Sequence, residues 1–79
     1  MKLWLISQTK NDNYDTYDSA VVAAETEEAA RNIHPSGDQR SWGKSNYDWC
    51  DLEYVQVKYL GVAKEGQESG VICDSFNAG

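Results

Sequence analysis

The sequence predicts an α+β fold: a small antiparallel sheet in the order β-β-α-β-β with one helix on a face. Three observations predict it. Residues 2–8 (KLWLISQ) and 55–60 (VQVKYL) carry the two-residue alternation of strands. Residues 19–24 (SAVVAA) are a β-branched run too short for a free-standing helix. Residues 25–33 (ETEEAARNI) then switch to the spacing of a short helical stripe.

Taken in order, the first strand sets Leu3 and Leu5 on one face and Trp4 and Ile6 on the other. Its start at the second residue suggests a central strand. The polar, Asn/Asp-rich segment 9–15 is a turn that returns the chain into the second strand, an antiparallel neighbour of the first. That second strand is apolar on both faces and reads as an inner strand. The helix begins at Thr26, a natural N-cap, with Glu25, Glu27 and Glu28 near the unpaired N–H groups of its first turn. Ala29, Ala30 and Ile33 form its apolar stripe, and Pro35 stops it at His34. Such a helix has about two turns and is stable only when laid on a sheet.

Residues 34–53 lack periodicity and carry Trp42, Tyr47 and Trp49, rings that fold back onto the body or onto a partner. A short helical turn fits residues 51–54. The third strand places Val55, Val57 and Tyr59 on one face and Gln56 and Lys58 on the other, and residues 61–63 can extend it. A polar turn at 64–70 leads to the fourth strand, residues 70–76, expected antiparallel to the third. No repeat or boundary divides residues 1–79, which read as one domain.

The chain of 79 residues has seven Lys and Arg against 13 Asp and Glu, a formal net charge of −6. This excess of acid excludes non-specific binding to nucleic acid, which needs a basic stripe. It suits docking onto a basic partner. Without a long apolar run or a leader, the sequence implies a soluble cytoplasmic protein, not a membrane protein, with Cys50 and Cys73 free and buried.

No catalytic set emerges. His34 is the single His, and beside Pro35 it reads as a cap or packing residue. Two distant Cys and one His make no metal set, and Gly37 and Gly43 are isolated rather than part of a phosphate loop. No cofactor is expected. The densest polar and aromatic group is Tyr14, Asp15, Thr16, Tyr17, Asp18 and Ser19, a candidate small-ligand rim. Ser75, Phe76 and Asn77 add a hydroxyl, a ring and an amide, and they converge on this rim if the second and fourth strands are neighbours.

The segments KLWLISQ, YDTYDSAVVAAETEEAARNIHP, VQVKYLGVA and GVICDSFNAG resemble short proteins encoded by bacteriophages and prophages, with residues 37–48 standing out as a variable insert. The resemblance extends to phage sponge proteins that sequester nucleotide immune signals, of the anti-Thoeris or anti-CBASS kind. It implies a non-enzymatic homo-oligomer that binds a cyclic nucleotide or a cyclic ADP-ribose isomer and hides it from its effector in the host cell. In that reading Tyr14, Tyr17, Trp42 and Phe76 stack on bases, Asp18, Ser19 and Asn77 read base edges or ribose hydroxyls, and Asp15, His34 and Ser75 complete the ligand-binding set. Arg31, Arg40 or Lys44 meets phosphate. The alternative is an acidic, anti-CRISPR-like inhibitor that occupies the nucleic-acid groove of a defence complex.

Overall fold

The computed structural model describes residues 1–11, 16–37 and 49–77, and of Asn77 the backbone alone. Among the described residues the elements run β1 (Lys2–Ser7), β2 (Thr16–Ala24), α1 (Glu27–Arg31), a 3₁₀ turn (Leu52–Tyr54), β3 (Gln56–Val62) and β4 (Gly70–Asn77). The fold is α+β: one antiparallel four-stranded sheet and one short helix.

The strand order is β3-β1-β2-β4. β1 pairs with β2 from Lys2↔Ala24 to Ser7↔Ser19, and on its other side with β3 from Lys2↔Val62 to Ser7↔Gln56. β1 is therefore central and β2 is inner, as the sequence indicates. The expected pairing of the third strand with the fourth is wrong. β3 and β4 form opposite edges, and residues 63–69 carry the chain past the ends of β1 and β2 from one edge to the other. The Ala63 N–H donates to the Met1 carbonyl at 2.9 Å along that path.

Register explains the faces. Trp4 and Ile6 lie opposite Val22 and Ala20 of β2 and opposite Tyr59 and Val57 of β3. Ile6, Ala20, Val22, Ala24, Ala30, Trp49, Cys50 and Val55 build the core beneath the helix, and the partly buried Trp4, Tyr17, Ile33, Val57 and Val71 pack against it. The partly buried Trp4 indole N–H donates to the Ala24 carbonyl at 3.0 Å. Trp49 is fully buried in this cluster, so the described end of the aromatic segment joins the helix face. On the opposite face, Leu3, Leu5 and Val21 are half-buried, and one row runs Gln56, Ser7, Ser19, Ser75 across all four strands.

The helix has five residues and relies on its caps. Thr26 Oγ1 accepts from the Ala29 N–H at 3.1 Å, and Asn32 closes the other end by donating its side-chain amide to the Glu28 carbonyl at 2.8 Å. That cap ends the helix at Arg31, short of His34. A turn follows in which the Gly37 N–H donates to the His34 carbonyl at 2.9 Å; Gly37 takes φ 81°, a conformation that costs a residue with a Cβ far more.

Candidate functional site

β2 and β4 are neighbours, with Thr16↔Asn77, Tyr17↔Phe76 and Ser19↔Ser75 in register. The two polar and aromatic groups seen in the sequence therefore meet at one end of the sheet. Asp18 is the extra residue where the register shifts between Tyr17 and Ser19. Such a bulge re-aims side chains. Here Tyr17 packs against the core on the helix face although Ser19 stands on the other. The Tyr17 and Phe76 rings meet edge to face, centroids 4.7 Å apart at 65°, and Phe76 keeps 44% of its surface in solvent. Asp18 and Ser75 are exposed, Ser19 is half-buried, and the Ser19 hydroxyl lies 3.5 Å from Asp18 Oδ1.

His34 is fully buried and stands edge to face with Tyr17, at 6.3 Å between centroids. Its Nδ1 accepts from the Ser36 N–H at 3.1 Å and lies 2.8 Å from the Ser36 hydroxyl, which places the ring proton on Nε2. His34 thus props the ring of Tyr17 from below and does not line the rim. Arg31 is also placed differently from its suggested role. Its guanidinium donates to the Val55 carbonyl and ties the helix to the start of β3, away from the β2–β4 edge. Tyr14, Asp15, Arg40, Trp42 and Lys44 lie outside the described residues, as does the side chain of Asn77.

Gln8 is a further residue that shapes this edge. It is 4% exposed, and its amide donates to the carbonyls of Asn11 at 2.7 Å and Tyr17 at 3.0 Å while its Oε1 accepts from the Asn11 N–H at 2.7 Å. Asn11 in turn donates its side-chain amide to the Trp49 carbonyl at 2.9 Å. The sequence carries the signal: Gln8 continues the Trp4, Ile6 alternation into the core, and a buried amide at such a position needs partners. This lattice fixes the segment after β1 beside a cavity of about 280 Å³ lined by Thr9, Lys10, Glu53, Tyr54, Val55 and Gln56. A second cavity, of about 300 Å³, lies between Ile33, Gly37 and the start of β4 at Ser69, Gly70 and Val71, and none of these described lining residues is charged.

The two thiols differ. Cys50 is buried in the core, and burial, with the negative charge of Asp51 adding to it, pushes its pKa up to about 11. Cys73 on β4 is exposed, which corrects the expectation that both are buried. It lies opposite Val21, on the sheet face away from the helix and its core. Among the described residues no group of three His, Cys, Asp or Glu can hold a metal, and no helix is long and apolar enough to cross a membrane. No family model matches the chain, and no curated protein or solved structure is significantly similar to it.

Proposed function

We propose that the protein is a phage-encoded anti-defence protein that captures a cyclic nucleotide or a cyclic ADP-ribose-type signal, without degrading it, in the cytoplasm of the host cell. The observation that carries this reading is the convergence of Tyr17, Asp18, Ser19, Ser75 and Phe76 where β2 begins and β4 ends. A half-exposed ring held by a second ring is a stacking platform for a base. The flanking hydroxyls and carboxylate suit base edges and ribose hydroxyls. Binding without turnover fits the chemistry here: His34 is committed to Ser36 beneath Tyr17, and Cys50 is held as a thiol. A homo-oligomer belongs to this proposal, because shared sites double the few cations that can meet phosphate.

One observation favours a second reading. Arg31 is turned to the Val55 carbonyl, and the carboxylates of Asp18 and Asp74 are exposed along the β2–β4 edge. Phosphate would be repelled there, whereas a basic surface of a partner protein would be attracted. An acidic inhibitor occupying a nucleic-acid groove is the function that follows.

Thermal denaturation against a panel of cyclic mononucleotides, cyclic dinucleotides and cyclic ADP-ribose isomers separates the two. A ligand at 100 times its Kd stabilises by about 2.7 kcal/mol. For a chain of this size that raises the melting temperature by roughly 10 °C or more. The expected result is such a rise with one ligand class, reduced in Phe76→Ala, with the ligand released intact on heating. No rise with any nucleotide sinks the sponge reading in favour of the protein inhibitor, and release of a cleaved product makes the protein an enzyme.

A further inference from the structure

Lys10 and Glu53 face one cavity from two different segments, and neither forms an ion pair or hydrogen bond with any described residue. One wall is the segment after β1, with Thr9 and Lys10. The other is the 3₁₀ turn and the start of β3, with Glu53, Tyr54 and Gln56. The Lys10 ammonium instead lies over the Tyr54 ring, 4.9 Å from its centroid, and that ring is 40% exposed.

Both walls are pinned. Gln8 and Asn11 hold the first through buried amide hydrogen bonds. The second is held by the Arg31 guanidinium on the Val55 carbonyl and by turn bonds from the Tyr54 N–H to Asp51 and from the Val55 N–H to Leu52, at 2.9 and 3.2 Å. A cation, a carboxylate and a ring face thus line one cleft between two hydrogen-bonded backbone segments, with no ion pair between the two charges. A cation resting on a ring gives up less when it leaves for an anion than one held in a salt bridge.

We propose that this cleft binds one nucleoside monophosphate unit. The base stacks on Tyr54, the phosphate takes Lys10 from its ring contact, and Glu53 accepts from N–H donors on the base edge. The cavity, about 280 Å³, is just smaller than the usual small-molecule site, so it admits one nucleotide unit rather than a whole dinucleotide. A base with adjacent N–H donors, as guanine has, matches a carboxylate; adenine offers an acceptor beside its amino group and matches it less well. The net charge of −6 opposes a phosphate at long range, but that repulsion is screened beyond about 8 Å at physiological salt. The site shares with the preceding proposal the ligand class alone.

The test is amide-detected NMR titration of the full chain with 5′-GMP, with guanosine, inorganic phosphate and 5′-AMP as comparisons, and circular dichroism to show that each variant is folded. GMP is expected to shift the resonances of residues 9–10 and 53–56 and to bind at least tenfold more tightly than guanosine or phosphate alone, and more tightly than AMP. Lys10→Gln and Tyr54→Leu, both at exposed positions, should each weaken GMP at least tenfold, and Glu53→Gln should abolish the preference over AMP. Phe76→Ala should leave GMP binding here unchanged, so that failure at the Tyr17–Phe76 edge and failure at this cleft are read separately. No shifts with GMP at millimolar concentration, or GMP binding unchanged in folded Lys10→Gln and Tyr54→Leu, overturns the proposal.

Discussion

Tyr17 and Phe76 lie opposite one another across the β2–β4 ladder, ring centroids 4.7 Å apart, although 58 intervening residues separate them in the chain. Each ring has a different second role. Tyr17 also packs on the core and on buried His34, whereas Phe76 leaves 44% of its surface in water. Truncating the two should therefore have unequal costs. Tyr17→Ala is expected to destabilise by about 2–3 kcal/mol, as a partly buried aromatic truncation does. Phe76→Ala should cost about 1 kcal/mol, with a coupling between the two of about 0.5–1.5 kcal/mol in a double-mutant cycle. Urea unfolding of the four proteins measures all three. A coupling near zero would mean that the rings touch without holding one another, and the stacking platform would lose its support.

Arg31 provides the sharpest separation between scaffold and site. Its guanidinium bonds the Val55 carbonyl and ties α1 to β3. Arg31→Ala should lower stability by roughly 1–2 kcal/mol, the cost of leaving a partly buried carbonyl without its donor. The affinity for any nucleotide found in the ligand panel should stay within twofold of the parent. An affinity loss of tenfold or more in a variant that still folds would return Arg31 to the phosphate.

Cys50 and Cys73 should separate by reactivity, and Cys50 should also make stability depend on pH. Only a thiolate attacks iodoacetamide, so at pH 8 the exposed Cys73 should be alkylated while Cys50, buried and held up to about 11, is spared until the chain unfolds. The same shift affects stability. The unfolded thiol loses its proton near 9.0, the folded one near 11, so between those values the folded state binds more protons. Stability from this group is thus complete below pH 9 and declines as pH rises through 11. Subtracting the pH profile of Cys50→Ala from that of the parent isolates the decline, because the other groups titrate in both. A flat difference between pH 8 and 11 would contradict the assignment.

The parts of this structure that the sequence made legible are those governed by nearby residues. Thr26 followed by two Glu specifies a helix start, and Val57 and Tyr59 alternate with Gln56 and Lys58 whatever strand lies beside them. Strand neighbours are not set locally. Sequential strands separated by a polar turn usually pair, which is why the sequence predicts β3 beside β4. Here Val57 and Tyr59 instead find Ile6 and Trp4, and β4 is left to pair with β2. The site follows the same division. That Tyr17 and Phe76 are aromatic and flanked by hydroxyls is visible in the sequence. That His34 lies under Tyr17, that Arg31 points at Val55, and that Lys10 rests on Tyr54 are consequences of long-range packing. Cys73 is exposed because its register with Val21 sets it on the sheet face away from the helix, and no short-range pattern around it reports that.

Gln8 is the residue on which both candidate edges depend. Its buried amide donates to the carbonyls of Asn11 and Tyr17 and its Oε1 accepts from Asn11, so it braces the Lys10 segment on one side and the Tyr17 strand on the other. Gln8→Glu keeps the shape and removes both donors. At neutral pH a carboxylate would then sit against two carbonyl oxygens with little water, and a loss of roughly 2–4 kcal/mol is expected from the unpaired acceptors and the buried charge. Protonation restores one donor. Burial and the facing carbonyls raise the introduced carboxyl's folded pKa above its unfolded value. Its contribution is therefore largest below the unfolded pKa and is lost as pH rises through the folded one. Gln8→Glu should accordingly be closest to the parent in acid and fall furthest below it above neutrality, whereas Gln8→Leu, which does not titrate, should sit at a constant offset. Urea midpoints of the three proteins between pH 4 and 8 make the comparison, and parallel profiles for Glu and Leu would show that the amide of Gln8 is not buried against those carbonyls.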